Sequence, residues 1–311
     1  MVKFMVCKNS NARIMLIGAK GMLARKVAEK AFEKYTVIPL DLPEFDMTDR
    51  ARVLERILSL RPEVIINCAA FTHVDRCETE EVLANKVNGE AVGFLAEAAK
   101  TVDATLVHIS TDYVFSGEQT RPYCEDDPTG PQSAYGRSKL LGEQALVASG
   151  LEKYFLVRTS WLYGPGGNNF VETMIRLAKE REELRVVADQ VGSPTYTGDL
   201  AEAIFNLLSL VEAPHPSPLT PHRSFGLYHF ADEGHCSWYE FAEEIIALAR
   251  KYGEPVVTQR IVPITTGEYP LPAKRPAYSV LSKEKYIQAT GASVPDWRQS
   301  LGKYFLERGK Y

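Results

Sequence analysis

The chain has no polybasic block, no long apolar run and no C-x-x-C pair. Each absence closes a class of function. With 36 Lys and Arg against 40 Asp and Glu, the formal charge is −4, so no basic surface is offered to a nucleic acid. No stretch approaches the roughly 20 apolar residues that a membrane-crossing helix needs. The opening "MVKFMVCKNSNAR" also lacks the apolar centre of a secretory signal, and it reads as a short extension (1–12) before the first strand. Five cysteines, Cys7, Cys68, Cys77, Cys124 and Cys236, are an odd number without paired spacing. That is the usage expected of reduced thiols in a cytoplasmic protein. The six histidines share no ligand spacing with Cys or carboxylates, so no catalytic metal is expected.

At 311 residues, 45% hydrophobic and 24% charged, the chain suits one large domain or two unequal lobes. Its first half alternates two periods. Apolar runs of strand length occur at 13–18, 35–41, 63–70, 104–110 and 154–160, with helical spacing between them at 21–33, 48–60, 85–100 and 135–149. Strands buried on both faces read as continuous Val/Ile/Leu runs, and strand–helix alternation implies parallel pairing with right-handed crossovers. The expected fold class is α/β, a doubly wound parallel sheet of Rossmann type with a smaller C-terminal substrate-binding lobe. Residues 13–160 would form the dinucleotide-binding core. Residues 161–311 would form mainly the lobe, with segments returning to the core. Helical patterns recur at 170–180, 198–210, 237–251 and 295–307, while "APHPSPLTPH" (213–222) reads as a Pro-rich surface loop and "KEREELR" (179–185) as a solvated helix end.

"IMLIGAKGMLARKVAEKAF" carries a strand through a turn into a helix, with Gly18, Gly21 and Ala24 spaced G-x-x-G-x-x-A. Glycines there let backbone approach a pyrophosphate, and the helix N-terminus offers free N–H groups and partial positive charge. Asp41 ends the second strand 23 residues after Gly18, near the spacing at which a carboxylate holds ribose hydroxyls and repels a 2′-phosphate. Lys20 pulls towards that phosphate, and Asp46 and Thr48 lie close enough to reach the adenine side. The balance leans to NADH and leaves NADPH open.

The fourth strand runs into "STDYVFSG", which sets Ser110, Thr111 and Asp112 at its carboxyl end, where ligands sit in open α/β sheets. The following helix opens with "SAYGRSK", and Tyr135 and Lys139 share one of its faces. With 15 Tyr and 17 Lys in the chain, about one such pair is expected by chance, so the pair alone decides nothing. Its chemistry is apt, because a neighbouring ammonium favours phenolate and brings a phenol closer to acid–base work. Thr111 would bind the same carbonyl oxygen. His108, within an apolar run, reads as a satisfied interior histidine.

Together, "GAKGMLA", "VDRCE", "STDYVFSG", "YGRSKLLGE", "RTSWLYG", "NNFVETMIRLAKE", "DQVGSPTY" and "KRPAYSVLS" resemble the dTDP-4-dehydrorhamnose reductases. These belong to the extended short-chain dehydrogenase/reductase family, which is NAD-dependent epimerase/dehydratase-like. The resemblance covers roughly residues 13–308. It implies reduction of the 4-keto group of dTDP-4-dehydro-L-rhamnose with NADPH or NADH, and Thr111, Tyr135 and Lys139 as the catalytic trio. Gly18, Gly21, Met22 and Leu23 resemble the cofactor loop, with Asp46 and Thr48 near adenosine and Ala69 and Ala70 beside the cofactor. Thr72, Val74, Asp112, Tyr113 and Trp161 resemble the sugar pocket, and Asn169, Gln190 and Arg275 the diphosphate contacts. The family often forms dimers, so the resemblance admits a homodimer. In two departures, Tyr278 stands where relatives usually carry Asn, and Ala24 replaces a frequent Gly. Two other readings stay open: another nucleotide-sugar 4-reductase or epimerase, and a non-catalytic binding subunit like the regulatory subunit of methionine adenosyltransferase.

Overall fold

Parallel strands must be apolar on both faces to be covered by helices on both sides, and the first half of the chain supplies them in turn. In the computed structural model, which describes residues 12–32, 34–212 and 225–309, these are β1 (Arg13–Ile17), β2 (Thr36–Leu40), β3 (Val64–Asn67), β4 (Thr105–Thr111) and β5 (Tyr154–Thr159). Between them run α1 (Met22–Ala31), α2 (Arg50–Leu60), the short α3 (Val74–Cys77) and α4 (Glu81–Asn85), α5 (Ala91–Val102) and α6 (Ala134–Ala148). Residues 1–11 of the expected extension, including Cys7, and the Pro-rich 213–222 lie outside the described residues.

The second half contributes β6 (Leu162–Tyr163), α7 (Phe170–Glu180), β7 (Glu183–Val187), β8 (Val191–Gly192), β9 (Thr195–Tyr196) and α8 (Thr197–Glu212). After them come β10 (Gly226–His229), β11 (Cys236–Ser237), α9 (Trp238–Lys251), β12 (Arg260–Ile264), α10 (Glu284–Thr290) and α11 (Trp297–Arg308). The main sheet runs β2-β1-β3-β4-β5-β10, with every neighbouring pair parallel.

Alternate residues of β1 point to opposite faces. Ile14 and Leu16 pack with Val27 of α1 and Ile204 of α8, while Met15 and Ile17 pack with Val53 of α2 and Leu95 of α5. Each fully buried Ile or Leu contributes roughly 1.5–3 kcal/mol, so the two layers fix the sheet and hence the positions of its strand ends. A third apolar core, including Tyr163, Val171, Phe241, Ile245 and Trp297, holds α7, α9 and α11 together. No helix among the described residues is long and apolar enough to cross a membrane.

One local expectation is corrected. The charge run 179–185 is not simply a helix end, because from Glu183 it becomes β7, paired in parallel with β12. Its charges alternate with buried Leu184 and Val186, a period of two that marks a half-buried strand and that the charges obscure.

Candidate active site

The carboxyl ends of β1, β3, β4 and β5 open into a cleft of about 900 Å³, lined also by Trp161 and Trp238. At one end Gly18 turns with φ +75°, and a Cβ there would lie 2.7 Å from the Ala69 backbone nitrogen. Only glycine takes that conformation at that distance without strain. The Gly21 N–H donates to the Gly18 carbonyl at 2.9 Å, and α1 begins directly afterwards with no side-chain cap. Its first N–H groups are therefore left for an anion. Asp41 accepts from the backbone N–H of Lys20 at 2.7 Å and of Leu42 at 2.8 Å. Asp46 accepts from the Thr48 N–H and hydroxyl at 2.9 and 2.8 Å, and these bonds hold its carboxyl below the usual range.

At the other end, Ser133 caps α6 by accepting from the Gly136 N–H at 3.1 Å. Gly136 lets the helix press against the loop after β4, since a Cβ there would lie 2.2 Å from the Tyr113 carbonyl oxygen. This contact sets Tyr135 beside Thr111, and the Tyr113 and Tyr135 rings meet edge to face at 5.5 Å. The Thr111 hydroxyl donates to Asp112 at 3.0 Å. Burial pushes Asp112 up to about 6, outweighing its hydrogen bonds to Ser279 and Thr111.

Lys139 is 2% exposed. Its Nζ donates to the Ile109 carbonyl at 2.6 Å and lies 3.4 Å from His108 Nε2. Burial pulls it down to about 8, against the favourable charge of Glu143. One turn further along α6, Glu143 pairs with Arg158 at 2.7 Å, both ends buried. The expected pull of Lys139 on Tyr135 is not among the forces on that phenol. Burial raises its pKa above the ordinary value, with Asp112 and Cys77 adding to the rise and the Thr111 hydrogen bond opposing it.

The cleft brings together Gly18, Gly21, Met22, Leu23, Asp41, Asp46, Thr48, Ala69 and Ala70 at the glycine end, and Thr72, Val74, Thr111, Asp112, Tyr113, Tyr135, Lys139 and Trp161 at the other. Asn169, Gln190 and Arg275 do not line it. Asn169 caps α7 by accepting from the Glu172 N–H at 3.1 Å. Gln190 donates to Thr266 at 3.0 Å. Arg275 makes a bidentate pair with Asp75 at 2.6 and 2.7 Å. Residues that periodicity and spacing do not reveal also face the cleft: Phe45, Met47 and Trp238. Trp238 stacks on Trp161 with ring centres 3.4 Å apart and planes 7° apart, and Trp161 itself has φ +46°. A bulky side chain seldom takes that conformation, and no sequence pattern announces it.

Fold and site define the class: a short-chain reductase, with a Tyr-x-x-x-Lys helix facing a glycine turn across the strand ends. The family described as RmlD substrate binding domain matches residues 12–309, and the chain belongs to it. It is 42% identical over 293 residues to the dTDP-4-dehydrorhamnose reductase of Burkholderia thailandensis, covering 93% of this chain and 97% of that one. It is also 42% identical over 297 residues to the spore coat polysaccharide biosynthesis protein SpsK of Bacillus subtilis, covering 95% and 98%. The crystal structure of dTDP-4-dehydrorhamnose reductase from Bacillus anthracis in complex with NADP matches with a TM-score of 0.86, at 40% identity, over 95% of this chain and 99% of that one.

Proposed function

We propose that this chain reduces the 4-keto group of dTDP-4-dehydro-L-rhamnose to give dTDP-L-rhamnose, using NADPH or NADH. The observation that carries the reading is the meeting of Thr111, Tyr135 and Lys139 in the same cleft as the Gly18 turn. The residues present fit a dinucleotide: a turn that excludes a Cβ, an uncapped helix N-terminus and a carboxylate at the end of β2. Gly18, Gly21, Met22 and Leu23 would hold its diphosphate, Asp41, Asp46 and Thr48 its adenosine, and Ala69, Ala70 and Lys139 the nicotinamide half. When bound, the reduced cofactor supplies hydride to the carbonyl carbon.

The other steps belong to the chain. Tyr135 donates its phenolic proton to the carbonyl oxygen, and its raised pKa keeps that proton in place at neutral pH. Thr111 orients the same oxygen. Thr72, Val74, Asp112, Tyr113 and Trp161 shape the sugar pocket. Arg275 reaches a diphosphate only by exchanging Asp75 for it, and Asn169 only by giving up the α7 cap. A homodimer rests on family resemblance, and a cytoplasmic setting on the odd number of unpaired cysteines.

The test is cofactor oxidation, followed at the reduced-nicotinamide absorbance band, with dTDP-4-dehydro-L-rhamnose and a panel of other 4-keto nucleotide sugars. Oxidation with the rhamnose precursor supports the reading. Oxidation with another sugar alone reassigns the substrate, and none with any member of the panel refutes the reaction.

A further inference from the structure

Asn67 and His108 stand opposite each other on β3 and β4, each 1% exposed. The Ala69 N–H donates to Asn67 Oδ1 at 3.1 Å, which fixes how the amide points. Asn67 Nδ2 therefore meets His108 Nδ1, at 3.1 Å, as a donor, and Nδ1 has to accept. An imidazolium is excluded by the same contact, since an Nδ1–H would face the amide N–H. The one imidazole proton then sits on Nε2, which lies 3.4 Å from Lys139 Nζ. An ammonium at that place faces a donor, whereas an amine accepts from it.

We propose that Asn67 and His108 form a positioning unit that fixes the imidazole as its Nε2–H tautomer, aims that N–H at Lys139 and so favours the amine form of the lysine. The other groups around Lys139 have to be weighed with it. The Ile109 carbonyl on β4 and Glu143 on α6 favour the ammonium. The carboxylate of Glu143 is shared with Arg158 of β5 at 2.9 and 2.7 Å and with Ser110 of β4 at 2.5 Å, which weakens its hold. Tyr135 on α6, Thr111 at the end of β4 and Asp112 directly after it complete the polar lining. Burial acts in the same direction as the Nε2–H, and Lys139 is pulled down to about 8. His108 is kept neutral by burial and by Lys139 itself. The consequence for catalysis rests on the reductase reading: a change of charge at Lys139, which shares the cleft with Tyr135, would appear as a basic limb in kcat/KM.

Nitrogen-15 NMR of the histidine rings of the full chain, with His108→Gln to assign the signal, tests the tautomer without turnover. A bare Nδ1 with a protonated Nε2 is expected; a protonated Nδ1, or an imidazolium, overturns the proposal. Asn67→Asp keeps an acceptor for Ala69 and presents one to Nδ1, so the proton should move to Nδ1 and leave a lone pair facing Lys139. The Lys139 Nζ titration should then rise by about one pH unit, tenfold in the amine-to-ammonium ratio, and the basic limb of kcat/KM should follow. An unmoved lysine titration also overturns it. If Asn67→Asp fails to fold, the wild-type tautomer still decides. The tautomer can stand even if no sugar is reduced, so failure of the reductase reading is separately visible.

Discussion

Replacing Gly136 by alanine sets two opposed effects against each other, and the geometry decides the sign. In a helix interior, alanine is favoured over glycine by up to about 1 kcal/mol, which is an upper bound for Gly136 in the first turn of α6. The added Cβ would lie 2.2 Å from the Tyr113 carbonyl oxygen and 3.0 Å from Pro131 Cβ. Ordinary contact begins near 3.4 Å, so helix and loop must part by roughly 1 Å. Neither side yields easily, because the obstacle is backbone and α6 is also pressed on Asn88, whose carbonyl oxygen a Cβ on Gly142 would meet at 2.1 Å. Overpacking of this kind costs about 1–3 kcal/mol, enough to outweigh the propensity gain. The parting also separates Thr111 from Tyr135, and a 1 Å misplacement of reacting groups costs on the order of 10²-fold in rate. Gly136→Ala should therefore lose stability in urea denaturation and about 10²-fold in kcat/KM. NADPH binding, measured by fluorescence titration, should stay close to wild type because the Gly18 turn lies at the other end of the cleft. A variant as stable and as active as wild type would refute the claim that this contact sets the site.

Three further outcomes are expected. Tyr135→Phe removes only the transferable proton, so turnover should fall about 10²–10⁴-fold while the cofactor dissociation constant is kept; near-normal turnover would remove Tyr135 from its role. Arg158→Met leaves the buried Glu143 charge unpaired, with a loss of about 3–5 kcal/mol in denaturant, and Arg158→Met with Glu143→Leu should recover most of it; no recovery would show that the charge is not the cause. Asp112, raised in the native state from 3.8 to about 6, binds its proton more tightly folded than unfolded, so its contribution to stability falls as pH rises from about 4 to about 6. Asp112→Asn should thus be stabilised relative to wild type at pH 7, by up to ~3 kcal/mol, with no gain at or below about pH 4. An equal difference at both pH values would contradict this sign.

Five of the sheet's six strands were legible because parallel strands carry their burial in composition: "IMLI" and "VIIN" are buried throughout and read as core in isolation, whereas the edge strand β10, "GLYH", is only half buried and was not expected. The glycine turn and the Tyr135–Lys139 pair were legible because their residues are neighbours in sequence. Features made by distant residues were not. Trp238 lies 77 residues beyond Trp161, and nothing in either segment signals the stack. Arg275 has the right chemistry for a phosphate, yet Asp75, 200 residues earlier, already matches its fork. β7 was hidden by its charges. His108 is interior, as its apolar run suggested, but its approach to Lys139 depends on the β3–β4 register and on where α6 crosses. The hydrogen bond from Lys139 to the Ile109 carbonyl is likewise one that no motif displays.

The central claim is that one cleft brings a 4-keto sugar, a reduced nicotinamide and the Tyr135 phenol together. It is tested most directly by mixing the protein with dTDP-4-dehydro-L-rhamnose and cofactor deuterated at the transferable position, then locating the label in the product by NMR. Deuterium at C4 of dTDP-L-rhamnose, lost together with turnover in Tyr135→Phe, is the predicted result. Label at another carbon, or no transfer although both ligands bind, would contradict it.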